Sequence, residues 1–248
     1  MRYTKWLLVI LAALLCVPTL QAHRMKLMTY NIHHGEGTDR KYAPERIARM
    51  ILTEAPEVVA LQEVDSATQR IKGRYVAGDI AQHTGMHATY AGAIPFQGGK
   101  YGIALLSKTA PKAVTRIPLP GREEKRMLLV ADFEPYVVCC THLSLTEEDR
   151  MNSIPTLRKV LKKYRHKKVF VMGDFNDSPE SAFMNELCRH FQVLSSTITP
   201  TFPNDVPTEV IDFVITRRGT NQPRATGMHI TVGSVASDHC PLSVDVEY

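Results

Sequence analysis

Apolar and polar positions alternate in short bursts along most of the chain, and helical periods fall between the bursts. Residues 26–32 (Lys-Leu-Met-Thr-Tyr-Asn-Ile) alternate as a half-buried strand does. Pro44 then opens a helical period, because its missing N–H costs nothing in a first turn. Ile47, Met50, Ile51 and Ala55 fall on one face of that helix. Residues 58–62 predict a buried strand. Residues 79–84 predict a helix stopped by Gly85. Short strands are predicted near 87–91, 102–107, 112–117, 126–133 and 136–141. Thr146 predicts an N-cap, with Asp149 in the capping-box position. The helix behind it turns Met151, Ile154, Leu157 and Leu161 inward. Strands recur near 168–172, 209–216, 228–232 and 241–247, with a helix near 180–189. No tight repeat or low-complexity linker interrupts this order. The pattern predicts one α/β domain with two β-rich layers between helices.

The first residues depart from it. Arg2 and Lys5 precede twelve apolar residues, followed by Pro18 and a small residue, Ala22. That order predicts a secretory signal over residues 1–22 and a folded domain over 23–248, exported to the periplasm or secreted. Twelve residues fall short of the roughly 20 that span a bilayer. Lipid attachment at Cys16 is disfavoured, because Leu15 stands where a lipoprotein signal wants a small residue. Losing Arg2 and Lys5 lowers the net charge from +5 to +3, close to balance. With 44% hydrophobic and 22% charged residues, the chain is not of the disordered class. Cys139, Cys140, Cys188 and Cys240 lack zinc-ligand spacing and read as small buried hydrophobes.

Candidate chemistry gathers where apolar runs end. Asn31 follows Leu-Met-Thr-Tyr, Glu63 follows Val-Val-Ala-Leu-Gln, and His142 follows Val-Val-Cys-Cys-Thr. Asp174 and Asn176 follow Val-Phe-Val-Met-Gly. Asp238 and His239 instead precede the last strand, so an antiparallel placement of that strand returns them to the same rim. Carboxylates and amides without thiolates suit a hard dication, Mg²⁺, Mn²⁺ or Ca²⁺. Histidines beside it suit proton transfer and anion stabilisation. Asp212 lies inside Glu-Val-Ile-Asp-Phe-Val-Ile, where a buried carboxylate is costly unless paired. A histidine partner would satisfy it and be held in one tautomer by it.

Other signals fail. His83 and His87 have the spacing of a zinc-protease pair, but Gly85 lies between them and no Glu follows His83. Gly98-Gly99-Lys100 lacks the rest of a phosphate-binding loop, and no Gly-x-Ser-x-Gly elbow is present. His33 and His34, near Asp39, admit a second metal cluster, but a polar loop beside Asn31 that contacts substrate is the favoured reading. The basic run from Arg158 to Lys168 reads as a solvated helix face.

The segments MTYNIHHGEGTD, VVALQEVD, YGIALLSK, THLSL, VMGDFND, VIDFVIT and SDHCPL, in this order, resemble the motifs of the endonuclease/exonuclease/phosphatase superfamily, the fold of pancreatic deoxyribonuclease. The resemblance runs from about Met25 to the C-terminus. It implies a four-layered α/β sandwich, two mixed β-sheets packed face to face and flanked by helices, and divalent-metal-dependent phosphoester hydrolysis. It further implies Glu63, Asn31 and Asp238 on the metal side. Asp174 would align the attacking water, with Asn176 as its companion on phosphate or water. His239 would be the catalytic histidine, Asp212 its orienting carboxylate, and His142 a second histidine against the phosphate. Tyr101 and Arg126 fall near positions that touch substrate, and for Arg126 a surface ion pair is the competing reading. Ile103 departs from the pattern, since many members carry Asn there. The implied substrate is a phosphodiester, in nucleic acid or in a phospholipid or inositol head group. The chain is expected to act as a monomer without a stable protein partner. A module that binds phosphate or lipid without turning it over is the alternative.

Overall fold

Alternation along the first strand, β1 (Arg24–Asn31), sends Leu27 into one core and Met28 and Tyr30 into another. The computed structural model describes residues 22–220 and 222–248, so the predicted signal segment, apart from Ala22, lies outside the described residues. After β1 come α1 (Pro44–Glu54), β2 (Val58–Ser66), α2 (Val76–Thr84), β3 (His87–Phe96) and β4 (Gly99–Ser107). Then follow β5 (Ala113–Leu119), β6 (Arg126–Asp132), β7 (Tyr136–His142), α3 (Glu147–Lys163), β8 (Lys168–Asp174) and α4 (Ala182–Leu187). β9 (Phe191–Val193), β10 (Asp212–Arg217), β11 (Arg224–Ile230) and β12 (Leu242–Glu247) complete the described strands and α-helices.

The strands form two six-stranded mixed sheets. One has the order β11-β12-β1-β2-β4-β3 and the other β5-β6-β7-β8-β10-β9. β1 with β2, and β7 with β8, are parallel pairs, and each is joined through a helix. The remaining neighbours are antiparallel. Leu27, Ala60, Leu105, Val138, Phe170 and Val214 fill the space between the sheets. Ile47, Ile51, Val76 and Ile80 bury the outer face of the first sheet, and Ile154, Leu157, Phe183 and Leu187 that of the second. The result is the four-layered α/β sandwich, with period-2 strands between period-3.6 helices. Cys139 and Cys140 alternate like their neighbours, one toward the helices and one between the sheets. Cys188 corrects the expectation of full burial: it is half-buried, at the end of α4.

Several boundaries differ from the pattern. β9 has three residues, too few for a period, and is held by pairing with β10. β11 is an edge strand with mostly exposed residues, so its first half carries no apolar alternation. Thr146 precedes α3 as expected but makes no side-chain cap bond. Its hydroxyl donates instead to Glu123 Oε2 at 3.3 Å, and the Asp149 carboxylate accepts from Arg122. The capping box is displaced because a long-range acid competes for its donors.

Candidate functional site

The ends of β1, β2, β7 and β8 and the starts of β10 and β12 meet on one rim. The registers place them there: Asn31 lies opposite Gln62, His142 opposite Asp174, and Asp174 opposite Asp212. β12 runs antiparallel to β1, with Thr29 opposite Leu242, so Asp238 and His239 arrive at the same edge. Glu63, His142, Asp174, Asn176, Asp238 and His239 border a cleft of about 1000 Å³. Gly173 lets β8 approach β7, since a Cβ there would lie 1.9 Å from the Thr141 carbonyl oxygen.

Asp174 is the hub, with 1% of its surface exposed. Its Oδ2 accepts from Asn31 Nδ2 at 3.1 Å and lies 3.6 Å from His142 Nε2 and 3.7 Å from His239 Nε2. Its Oδ1 accepts the Asn176 backbone N–H at 2.9 Å. Burial first, and then the neighbouring Asp212, push the Asp174 carboxyl up to about 7. Asn176 has φ of 51°, and its side chain donates to the Leu143 carbonyl at 2.9 Å, which turns its backbone N–H toward Asp174. His239 Nδ1 pairs with Asp212 Oδ2 at 3.0 Å, while Asp212 Oδ1 is buried without a partner. Burial alone would lower the His239 pKa. The Asp212 charge and hydrogen bond outweigh it, with Asp174 and Asp238 adding to them, and hold it near 10. His142 goes the other way: burial first, then Arg126 and His239, keep its ring neutral. The two imidazoles that flank one carboxylate are thus held in opposite charge states.

Glu63 reaches the rim by a break in β2. The β2–β4 register shifts between Leu61 and Val64, and Glu63 takes φ of 58°. For a residue with a Cβ this conformation is strained, and such strain concentrates at working sites. Glu63 Oε1 accepts from Asn31 Nδ2 at 3.2 Å, so Asn31 ties Glu63 to Asp174. The amide oxygen of Asn31 is taken by the His33 backbone N–H at 3.2 Å, so the face it turns to the carboxylates is its NH₂. Asp238 lines the cleft and accepts from Ser237 Oγ at 3.2 Å. The same hydroxyl lies 2.7 Å from the Asn31 carbonyl, which pins this segment to β1. Glu63 and Asp238 offer hard oxygen donors without a thiolate, a set that fits Mg²⁺ or Mn²⁺.

Arg126 is buried at 5% exposure and lines the cleft, which overturns the surface reading. It pairs with Glu124 Oε1 at 3.0 Å and Glu123 Oε1 at 3.6 Å, and its Nε has no partner. Tyr101 lines the same wall, its hydroxyl pushed up by burial and then by Glu63. Ile103 is buried. Two supporting residues carried no local signal. The Phe202 ring packs on His239 at 4.7 Å. Glu123 ties the 120–125 loop to the turn after β7, accepting from Ser144 Oγ at 2.6 Å and the Leu145 N–H at 2.8 Å.

Burial alone would raise the Glu123 pKa, but bonds from Ser144 and backbone amides, with Arg126, hold it down to about 2. A depressed acid stabilises the fold above its unfolded value near ~4.3, and that stability is lost as pH falls toward the folded value. Glu123→Gln is therefore expected to lower the urea midpoint at pH 7. The gap to wild type should close between about pH 4 and pH 2; a constant gap would contradict it.

A cleft of carboxylates and opposed histidines thus sits on the rim of a four-layered sandwich. The sequence model of the Endonuclease/Exonuclease/phosphatase family matches residues 28–239, and the chain belongs to that family. Over 170 residues it is 25% identical to exodeoxyribonuclease III of Haemophilus influenzae, covering 62% of this chain and 58% of that enzyme's length. Among solved structures it resembles family members from Beutenbergia cavernae and Bacteroides vulgatus. The first has TM-score 0.72 and 21% identity over 90% of this chain and 71% of that one. The second has TM-score 0.74 and 17% identity over 90% and 98%.

Proposed function

We propose that the protein is an exported, divalent-metal-dependent phosphodiesterase that works by in-line attack of water. The observation that carries this reading is the convergence of Asn31, His142 and His239 on one buried carboxylate, Asp174, beside Glu63. A dication held by Glu63 and Asp238 would neutralise charge on a phosphate oxygen. Asp174, whose raised pKa makes it a competent base near neutral pH, orients the water and takes its proton. His239 offers positive charge to the pentacovalent state and a proton to the departing oxygen. His142 stays neutral and donates a hydrogen bond, and Arg126 has an unpaired Nε to give to phosphate. Export rests on the order of charged, apolar and small residues in 1–22, which makes 23–248 the working domain. Hydrolysis of bis(p-nitrophenyl) phosphate with Mg²⁺ or Mn²⁺ and its loss in EDTA are the test. Full activity in chelator would refute the mechanism.

For the substrate, the charge around the cleft favours a compact phosphodiester, such as a lipid or inositol head group, over a polynucleotide. Glu124, Glu180 and Glu209 add carboxylates to the lining, against a single guanidinium, Arg126. Arg158, Lys162, Arg165, Arg189, Arg217 and Arg218 instead border a cleft of about 510 Å³. Arg217 and Asp212 stand at opposite ends of β10, roughly 17 Å of strand apart. The likeness to exodeoxyribonuclease III supports DNA as the second reading. Neutralising Lys162, Lys163 and Arg165 to Gln separates the two. Turnover and its salt dependence are expected to stay unchanged. A duplex substrate would instead show affinity falling with a log–log slope of about −0.9 per phosphate contacted, flattened in the variant.

A further inference from the structure

His33 and His34 are not absorbed by this chemistry, yet they stand against Glu63. One ligand atom from each of the three lies within 4.8 Å of the others. The two histidines form a 3₁₀ turn directly after β1, with φ of 42° and 46°. His33 Nδ1 lies 3.1 Å from the Glu36 carbonyl oxygen. A carbonyl oxygen only accepts, so Nδ1 carries the proton and Nε2 presents a bare lone pair. That outer bond to a carbonyl is how metal-binding histidines are oriented. His34 is 8% exposed, and its Nδ1 is buried with no hydrogen-bond partner, while its Nε2 sits 3.8 Å from the Glu36 carboxylate. A buried nitrogen left without a partner is costly, and a ligand there would offset that cost.

We propose that His33, His34 and Glu63 form a second dication site, selective for a borderline-soft transition metal such as Zn²⁺ or Co²⁺ over Mg²⁺, with Glu63 shared with the oxygen-donor site. Two imidazoles and one carboxylate leaving an open position are a borderline-soft set, which Mg²⁺ disfavours. Around an ion with bonds of about 2.1 Å the donors come to roughly 3.4 Å apart, a closure that side-chain rotation supplies. Arg70 opposes a cation there, but Asp65 holds it in a two-point pair at 2.6 and 2.8 Å, and Asp238 also faces the His34 ring. This site goes beyond the hydrolase reading and stands on different side chains except Glu63.

The test uses the full chain freed of metal and then held in excess Mg²⁺, titrated with Co²⁺. Wild type should take up one Co²⁺ with visible ligand-field bands of nitrogen ligation, and its melting temperature should rise on uptake. His33→Asn with His34→Asn keeps residues that tolerate the left-handed backbone. It should bind Co²⁺ at least tenfold more weakly and lose the bands and the thermal gain. His34→Asn alone should give an intermediate loss. Unchanged Co²⁺ affinity and spectrum in the folded double variant, or no Co²⁺ uptake by wild type, would overturn the site. Mg²⁺-dependent hydrolysis is read separately, so failure of the phosphodiesterase reading leaves the cobalt result standing.

Discussion

Asp174→Asn is expected to cut kcat on bis(p-nitrophenyl) phosphate by about 10³-fold while KM changes little. The amide keeps the shape, and its single oxygen can still accept from either Asn31 or the Asn176 N–H, though not from both. It cannot take a proton, and it removes the negative charge that His142 and His239 face at 3.6 and 3.7 Å. Because the lost function is made in the transition state and not in substrate binding, the effect falls on kcat. The variant should fold as wild type, since a neutral amide is cheaper to bury than a carboxylate raised to about 7. A KM rise with kcat preserved would assign Asp174 to binding.

Asp212→Asn is expected to cost about 10²–10³-fold in kcat. Asp212 touches no solvent to speak of, at 1% exposure, and acts through the 3.0 Å bond to His239 Nδ1. Without its charge, the burial that opposes protonation prevails, and His239 falls from near 10 toward neutrality. At pH 8 the wild-type ring is charged and the variant's is not. Imidazole ¹⁵N chemical shifts read this directly, apart from activity. A variant whose His239 remained an imidazolium at pH 8, or one with unchanged kcat, would remove Asp212 from the mechanism.

Both variants concern residues legible in the sequence, and the reason is mechanical. A strand that ends at a site shows an apolar run that stops at a polar residue, as before Asn31, His142 and Asp174. The antiparallel return of β12 was also readable, because Asp238 and His239 precede an alternating stretch. The capping box at Thr146 and the stacking of Phe202 depend on partners 20 or more residues away. No local period encodes them. Glu63 shows both cases: the end of its run is visible, but the left-handed bulge that aims it arises from pairing with β4.

The two sheets have the same strand polarities in the same order: antiparallel, antiparallel, parallel, antiparallel, antiparallel. They are topological duplicates, and the cleft lies where their strand ends meet. Under that relation β1 maps onto β7 and β2 onto β8, so Asn31 becomes the counterpart of His142, and the Gln62–Glu63 bulge that of Asp174. Asp212, opposite Asp174 on β10, maps onto the stretch of β4 opposite the bulge, where Ile103 lies buried between Gly102 and Ala104. Equivalent positions have thus taken unlike roles. One half offers the Glu63 carboxylate tied by the Asn31 NH₂, and the other an imidazole and a paired acid. Neither duplicate forms the cleft alone, and its two sides are chemically unlike.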